Sequence, residues 1–149
     1  MILYSHPFSS YCQKAIIALY ENDTPYEARL LSDGESMAAL EAIWPRRQFP
    51  VLEDGGRVIP EATSIIEHLA VHHPGPVALI PSDPAAAVEV RMMDRIFDNH
   101  VSSAQQRIIY NAIRPEAERD ARIDSEARTA LDQIYPWLDA RMAGREWAT

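Results

Sequence analysis

Gln48-Phe49-Pro50-Val51-Leu52, the turn Glu53-Asp54-Gly55-Gly56, and Arg57-Val58-Ile59-Pro60-Glu61-Ala62-Thr63-Ser64-Ile65-Ile66-Glu67-His68-Leu69 carry most of what this chain says about its architecture. An apolar run led by proline, a Gly-Gly turn, a second short apolar run and a helical pattern predict strand, hairpin, strand and helix. Proline at the start of a strand, or in a cis bond before one, leaves a neighbouring backbone amide to face a ligand instead of a ladder partner. The stretch therefore predicts a docking edge for an extended peptide.

Toward the N-terminus, Ile2-Leu3-Tyr4 suits a buried strand, and Ser5-His6-Pro7-Phe8-Ser9-Ser10 is a turn rich in helix caps. Cys12, Ala15, Ile16 and Leu19 recur at helical spacing and predict a first helix from about Tyr11 to Glu21. Tyr26, Ala28 and Leu30 alternate as in a second strand, parallel to the first by the right-handed crossover rule. Ser36 to Trp44 predicts a short helix stopped by Pro45. In the helix that begins near Glu61, Ile65, Ile66, Leu69 and Ala70 form the inward stripe, and His73-Pro74-Gly75-Pro76 ends it. Residues 1–76 thus read β-α-β-α-β-β-α, an α/β thioredoxin-like domain with a small mixed sheet.

Toward the C-terminus the strand pattern stops. Residues 77–84, with Pro81-Ser82-Asp83-Pro84, predict a linker, and residues 85–149 an all-α helical domain. Val90, Met93, Phe97, Val101, Ala104 and Ile108 mark one long helix from about Ala85 to Ile113, broken at Arg114-Pro115. Ile123, Ala127, Leu131, Ile134, Leu138 and Met142 mark a second, with a bend expected at Pro136. Two such helices joined by a short link should pack antiparallel, yet are too few to bury both their faces.

Composition narrows the function classes. The net charge of -8 opposes the electrostatic attraction that drives nonspecific nucleic-acid binding. No apolar run approaches the roughly 18 residues of a membrane span, and the N-terminus has no signal-peptide pattern, so a cytoplasmic protein is expected. The single cysteine, Cys12, excludes an internal disulfide framework and a multi-cysteine metal site. His68 and His72 stand four apart on one helix and could share a metal, but the sequence shows no third ligand, and exposed helix histidines are the commoner case. No metal is expected, and His6 is assigned no role.

A thioredoxin-like domain with Phe49-Pro50-Val51-Leu52, then Pro60-Glu61-Ala62-Thr63-Ser64-Ile65-Ile66-Glu67-His68-Leu69, a proline linker and an all-helical domain resembles the cytosolic glutathione transferase family. The likeness runs from Met1 to about Gly144. Ser9-Ser10-Tyr11-Cys12-Gln13-Lys14 is similar to the family's serine-type active-site segment, and Pro45-Arg46-Arg47-Gln48-Phe49-Pro50 to the zeta-class glutathione-binding loop. The resemblance implies a homodimeric transferase with glutathione as co-substrate, no permanently bound cofactor, and a hydrophobic or electrophilic small molecule as acceptor. A zeta-type glutathione-dependent cis-trans isomerase and a non-catalytic binding or regulatory relative are the alternatives it leaves open. Family members also continue beyond the position where this sequence stops, so the resemblance implies a C-terminal domain that is incomplete here.

Glutathione's thiol has an ordinary pKa near 8.5 and is mostly protonated at neutral pH. The N-terminus of the first helix supplies partial positive charge, and Ser9 before it could donate a hydrogen bond to the sulfur, with Ser10 the fallback. As a bland alternative, Ser9 is simply the helix N-cap. By resemblance, the backbone of Phe49 next to Pro50 would pair with the cysteinyl part of glutathione, with Gln48 at its glycine end. Glu61, Ala62 and Thr63 at the third helix start would take the γ-glutamyl end, a carboxylate for its ammonium and helix amides for its carboxylate. Ala62 departs from the family's usual serine there. Ser103, Gln106, Arg107 and Tyr110 are acceptor-site candidates at helical spacing. Cys12, on the inward stripe of the first helix, is expected to be buried and without a redox role.

Overall fold

The computed structural model describes residues 1–149 as two compact units, Met1–Ser82 and Asp83–Thr149. In the first unit β1 (Ile2–Ser5), α1 (Ser10–Glu21), β2 (Glu27–Leu30), α2 (Gly34–Ile43), β3 (Val51–Asp54), β4 (Arg57–Pro60) and α3 (Ala62–His72) follow one another in the expected order. The four strands make one sheet in the order β2-β1-β3-β4. β2 runs parallel to β1, while β3 is antiparallel to both β1 and β4.

The period of two along a strand divides the core into two layers. Leu3 faces Leu52 across the β1–β3 ladder and packs with Ala15, Ala18, Leu19, Ile65 and Leu69 under α1 and α3. Their neighbours Tyr4 and Val51 point the other way and pack with Leu31 and Leu40 under α2. A one-residue slip of β3 would exchange the two layers, so burial on both sides pins the register. The Tyr4 ring is buried, and its hydroxyl accepts from Arg29 Nη1 at 3.1 Å, which satisfies the one polar atom it brings into the core.

The hairpin turns at Gly55 and Gly56, whose φ values of +54° and +81° are the pair of left-handed conformations a two-residue type I′ loop needs. Asp54 and Arg57 flank it as facing residues. β2 is an edge strand, and Leu30 remains about half exposed there. α2 begins at Gly34, two residues ahead of expectation, because Asp33 caps it by accepting from the Ser36 amide at 2.6 Å.

Residues 77–82, expected as plain linker, belong with the first unit. Asn22, the C-cap of α1, donates through Nδ2 to the Val77 carbonyl at 2.9 Å and accepts the Val77 amide at 2.8 Å, and Leu79 packs on the α1/α3 layer. A Cβ on Gly75 would lie 2.4 Å from this Asn22 side chain, so only glycine lets the chain pass there.

In the second unit the single long helix expected from Ala85 to Ile113 is three segments. α4 (Pro84–Ile96) opens on the Asp83 cap, a π-helical stretch spans Phe97–Ser102, and α5 (Ser103–Ile113) follows. An extra residue per turn in the middle stretch rotates the buried face, a change that a pattern read at constant 3.6-residue spacing misses. α6 (Ala121–Met142) continues through Pro136, which has no amide to offer the Asp132 carbonyl one turn back. Ala104, Ala127 and Leu131 form the α5–α6 core, while Ile109, Tyr110 and Ile113 stay exposed. No helix is long and apolar enough to cross a membrane.

Candidate functional site

The expected site residues of the first unit sit at three backbone features. The first is the N-terminus of α1. Ser9 is buried, has extended backbone and is the N-cap, its Oγ accepting the Cys12 amide at 3.3 Å. Its own amide donates to the His6 carbonyl at 3.0 Å, closing the turn. A hydroxyl carries one donor and two acceptor sites, so capping occupies an acceptor while the O–H, set against the Cys12 sulfur, can turn to another partner. The capping and thiolate-stabilising readings of Ser9 are therefore compatible. Ser10, the first helical residue, is exposed.

The second feature is the edge ahead of β3. The Phe49–Pro50 bond is cis, as expected, and Pro50 is buried directly before the strand. Gln48 is exposed and accepts from Arg46 Nε at 3.0 Å. Arg47 has φ +55° and lies 3.7 Å from Glu41. The third feature is the start of α3. Glu61 occupies the N-cap with φ +71° and ψ 124° and makes no side-chain cap bond. A non-glycine residue in that region costs on the order of 1–3 kcal/mol, held here by the strand before it and the helix after it. Its carboxylate is thus exposed and uncommitted as a cap, while Ala62 beside it is buried. The first bond within the helix is Ile65 N–H to the Glu61 carbonyl at 3.0 Å. Amides ahead of such a bond form the positive end that receives anions.

His6, given no role from sequence, ties the first two features together. Its ring stacks on Phe8 at 5.7 Å and on Phe49 at 5.9 Å, and its Nδ1 accepts the Phe8 amide at 3.3 Å. Its backbone amide donates to Cys12 Sγ at 3.4 Å, and Gln13 Nε2 donates to the Pro7 carbonyl at 2.9 Å. The loop carrying Ser9 is thereby held from both sides. Cys12 is fully buried, and burial pushes its thiol above the ordinary range against the weaker opposing contacts of the His6 amide and Ser9. A thiol labelling reagent at pH 8 should therefore modify native Cys12 at least about 100-fold more slowly than the urea-unfolded chain. Equal rates would put the sulfur at the surface and reopen a redox role.

Of the acceptor-site candidates, Ser103 and Arg107 line a pocket of about 330 Å³ within the helical unit, together with Asn99, His100, Gln133 and Ile134. Gln106 and Tyr110 are not among its lining residues. Arg107 Nη2 pairs with Glu126 at 2.8 Å, and Arg122 holds the same carboxylate at 2.8 Å. These two guanidiniums keep Glu126 below the usual carboxylate range. Arg107 thus shares one carboxylate with Arg122, so the three side chains together keep one positive charge.

The expected His68–His72 pair is divided. His68 Nε2 and His73 Nε2 both meet Asp54 Oδ2, at 2.9 and 2.6 Å, whereas His72 Nε2 lies 3.4 Å from Arg57 Nη1. The His73 and His68 hydrogen bonds hold the Asp54 carboxyl down to about 2. Sequence reading passed over Asp54 as a turn residue and His73 as a helix terminator, because the two are 19 positions apart and only the hairpin's return onto α3 joins them.

A four-stranded mixed sheet in this order, a serine-capped first helix and a cis-proline directly before the inner strand β3 define a thioredoxin-like domain, here followed by a helical unit. The chain belongs to the glutathione S-transferase family: residues 3–77 match the family's model described as "Glutathione S-transferase, N-terminal domain". Its fold is similar to that of a glutathione S-transferase from Methylobacillus flagellatus KT solved with glutathione bound, at TM-score 0.84 and 23% identity over 99% of this chain and 73% of that one. A Methylobacterium radiotolerans glutathione S-transferase in complex with glutathione sulfonate aligns at TM-score 0.80 and 24% identity, covering 99% of this chain and 69% of that one. Glutathione S-transferase 1-6 from Anopheles dirus species B aligns at 0.81 and 20%, with coverage of 99% and 69%. No curated protein matches the sequence.

Proposed function

We propose that this chain binds glutathione along the Phe49–Pro50 edge and holds its sulfur as thiolate at the N-terminus of α1 for attack on an electrophilic carbon of a small molecule. The observation that carries the reading is the buried Ser9 hydroxyl at the N-cap of α1, whose oxygen accepts the Cys12 amide and whose O–H, set against the Cys12 sulfur, would turn to the sulfur of a ligand. Gln48 would meet the glycine end, and Glu61 with the first-turn amides of α3, Ala62 and Thr63 among them, would take the γ-glutamyl end. Glutathione sulfonate and glutathione bound to similar folds support the ligand class.

The thiolate attacks the acceptor carbon, the bond to the leaving group breaks, and the electron pair departs with that group. Developing negative charge is transferred away from sulfur, so the field of α1 serves chiefly to raise the thiolate fraction before attack. The acceptor, a cytoplasmic location and a homodimeric state belong to the same proposal.

Calorimetric titration of glutathione into the purified chain tests the reading. Saturable binding of one glutathione per chain is expected, and Glu61→Gln should weaken it by about tenfold or more, the worth of one hydrogen bond to a charged group. Heat no larger than dilution at millimolar glutathione would overturn it. A second reading, a binding module without turnover, is favoured by Ala62, which lacks the hydroxyl that would hold the γ-glutamyl carboxylate. Binding without conjugation of an activated aryl chloride would select it. For the cis-trans isomerase alternative the relevant observation is the cluster of Arg107, Arg122 and Glu126, in which Arg107 is tied to Glu126 and would have to turn from it to meet a dicarboxylate acceptor.

A further inference from the structure

We propose that Asp54, His68 and His73 bind a divalent transition-metal ion of the zinc class at the hairpin end of the first unit. Asp54 ends β3, His68 lies on the last turns of α3, and His73 is the C-cap of that helix. The two Nε2 atoms converge on one carboxylate oxygen, at 2.9 and 2.6 Å, and all three ligand atoms lie within 4.8 Å of one another. Two imidazoles and a carboxylate, with a fourth position left to water, is a recurrent zinc donor set.

The geometry asks for little movement. Tetrahedral zinc with ligands at about 2.0–2.2 Å separates them by about 3.3–3.5 Å. Each histidine need retreat from Asp54 by less than about 1 Å, a side-chain adjustment on a fixed backbone. Each imidazole then coordinates as the neutral base through Nε2 with its proton on Nδ1, and the metal takes the place of the two hydrogen bonds. The His68 side chain is about nine-tenths buried, while His73 is about one-third exposed, giving one anchored ligand and one open side for entry.

Arg57, which faces Asp54 across the β3–β4 ladder and meets His72, is a cation that opposes a dication there. His72 stacks 4.5 Å from His68 but is turned to that arginine, so it stands outside the donor set. The cluster is also remote from the proposed glutathione edge. It occupies the far end of β3 from Pro50 and the second half of α3 from Glu61, about 10 Å along the helix at His68 and about 18 Å at His73. The ion is therefore assigned no part in the glutathione chemistry; held by residues of β3 and α3, it would link the hairpin to that helix.

Zinc competition with a chromophoric chelator, using the full chain stripped with EDTA and freed of any histidine tag, tests this. One Zn²⁺ per chain with Kd of ~1 µM or tighter is expected, with a zinc-dependent rise in melting temperature. His73→Gln, at a partly exposed helix-end position where glutamine keeps a polar group toward Asp54, should weaken binding at least about tenfold. Asp54→Asn should do the same, and His100→Gln should leave it unchanged. Binding that depends on His72 but not on His73 overturns the assignment, as does affinity equal in His73→Gln and the unaltered chain, or no binding at ~100 µM zinc. Glutathione affinity should be the same with and without zinc, so loss of either property is read apart from the other.

Discussion

Ser9→Ala should lower conjugating turnover at least tenfold while glutathione binding changes little. The expected loss follows from the Ser9 O–H, which capping does not use although the Cys12 sulfur on α1 also meets it. A hydrogen bond to a charged partner contributes roughly 1.5–3 kcal/mol, which corresponds to about 10–100-fold in thiolate stability. The same loss should raise the thiol pKa of bound glutathione by about 1–2 units, readable from thiolate absorbance during a pH titration. Alanine also removes the cap, at about 1 kcal/mol of stability, so a control must separate the two effects. Ser9→Asp keeps an oxygen for the Cys12 amide but has no hydroxyl to donate and adds a charge that repels the thiolate. It should melt near the unaltered chain and turn over no better than Ser9→Ala. Ser9→Thr, which keeps both functions, should retain most activity. Unchanged turnover and an unchanged bound-thiol pKa in Ser9→Ala would reduce Ser9 to a structural cap and move attention to Ser10.

The largest expected stability effect lies in the helical unit, at Asn111. Its side chain is buried and donates through Nδ2 to the Asp120 carbonyl at 3.0 Å and to Asp124 Oδ1 at 2.9 Å, while its Oδ1 accepts the Asp120 amide at 2.9 Å. These three bonds close the turn between α5 and α6 and fix where α6 begins. At about 1 kcal/mol each, with more for the carboxylate, Asn111→Ala should cost about 3 kcal/mol in denaturant unfolding. Asn111→Asp tests the polarity of the site separately, because it places a second carboxylate against Asp124 and loses the amide donors. Burial and like charge raise that new group's pKa in the fold above its unfolded value. The variant's stability should therefore be greatest below the unfolded carboxylate range near pH 4, and lost as pH rises through the raised value. A loss below about 1 kcal/mol for Asn111→Ala would show that water replaces the side chain at little cost.

Much of the fold was legible because the informative residues are local. Pro50, the Gly55-Gly56 pair and the Ile65/Leu69 stripe each act on their own few residues, and local steric rules operate there with little competition. The Ser9 cap was legible for the same reason. The π-helical stretch at Phe97–Ser102 was not, since Val101 and Ala104 fit a uniform α-helical spacing well enough to conceal one extra residue per turn. The tie from Asn22 to Val77 was not legible either, because the two are 55 positions apart.

The sequence by itself determined the order of the elements in the first unit, the serine cap on α1, the proline-led segment before β3 and the burial of β1. Those follow from backbone sterics and hydrophobic period, which depend on neighbours in the chain. Tertiary structure alone decided which polar groups meet: Asp54 with His68 and His73, His6 against Phe49, Arg107 with Glu126, and Asn111 with the start of α6. A hydrogen bond or ion pair acts over a few ångströms whatever the separation in sequence, so those pairings exist only once the hairpin and the helices have brought distant residues together.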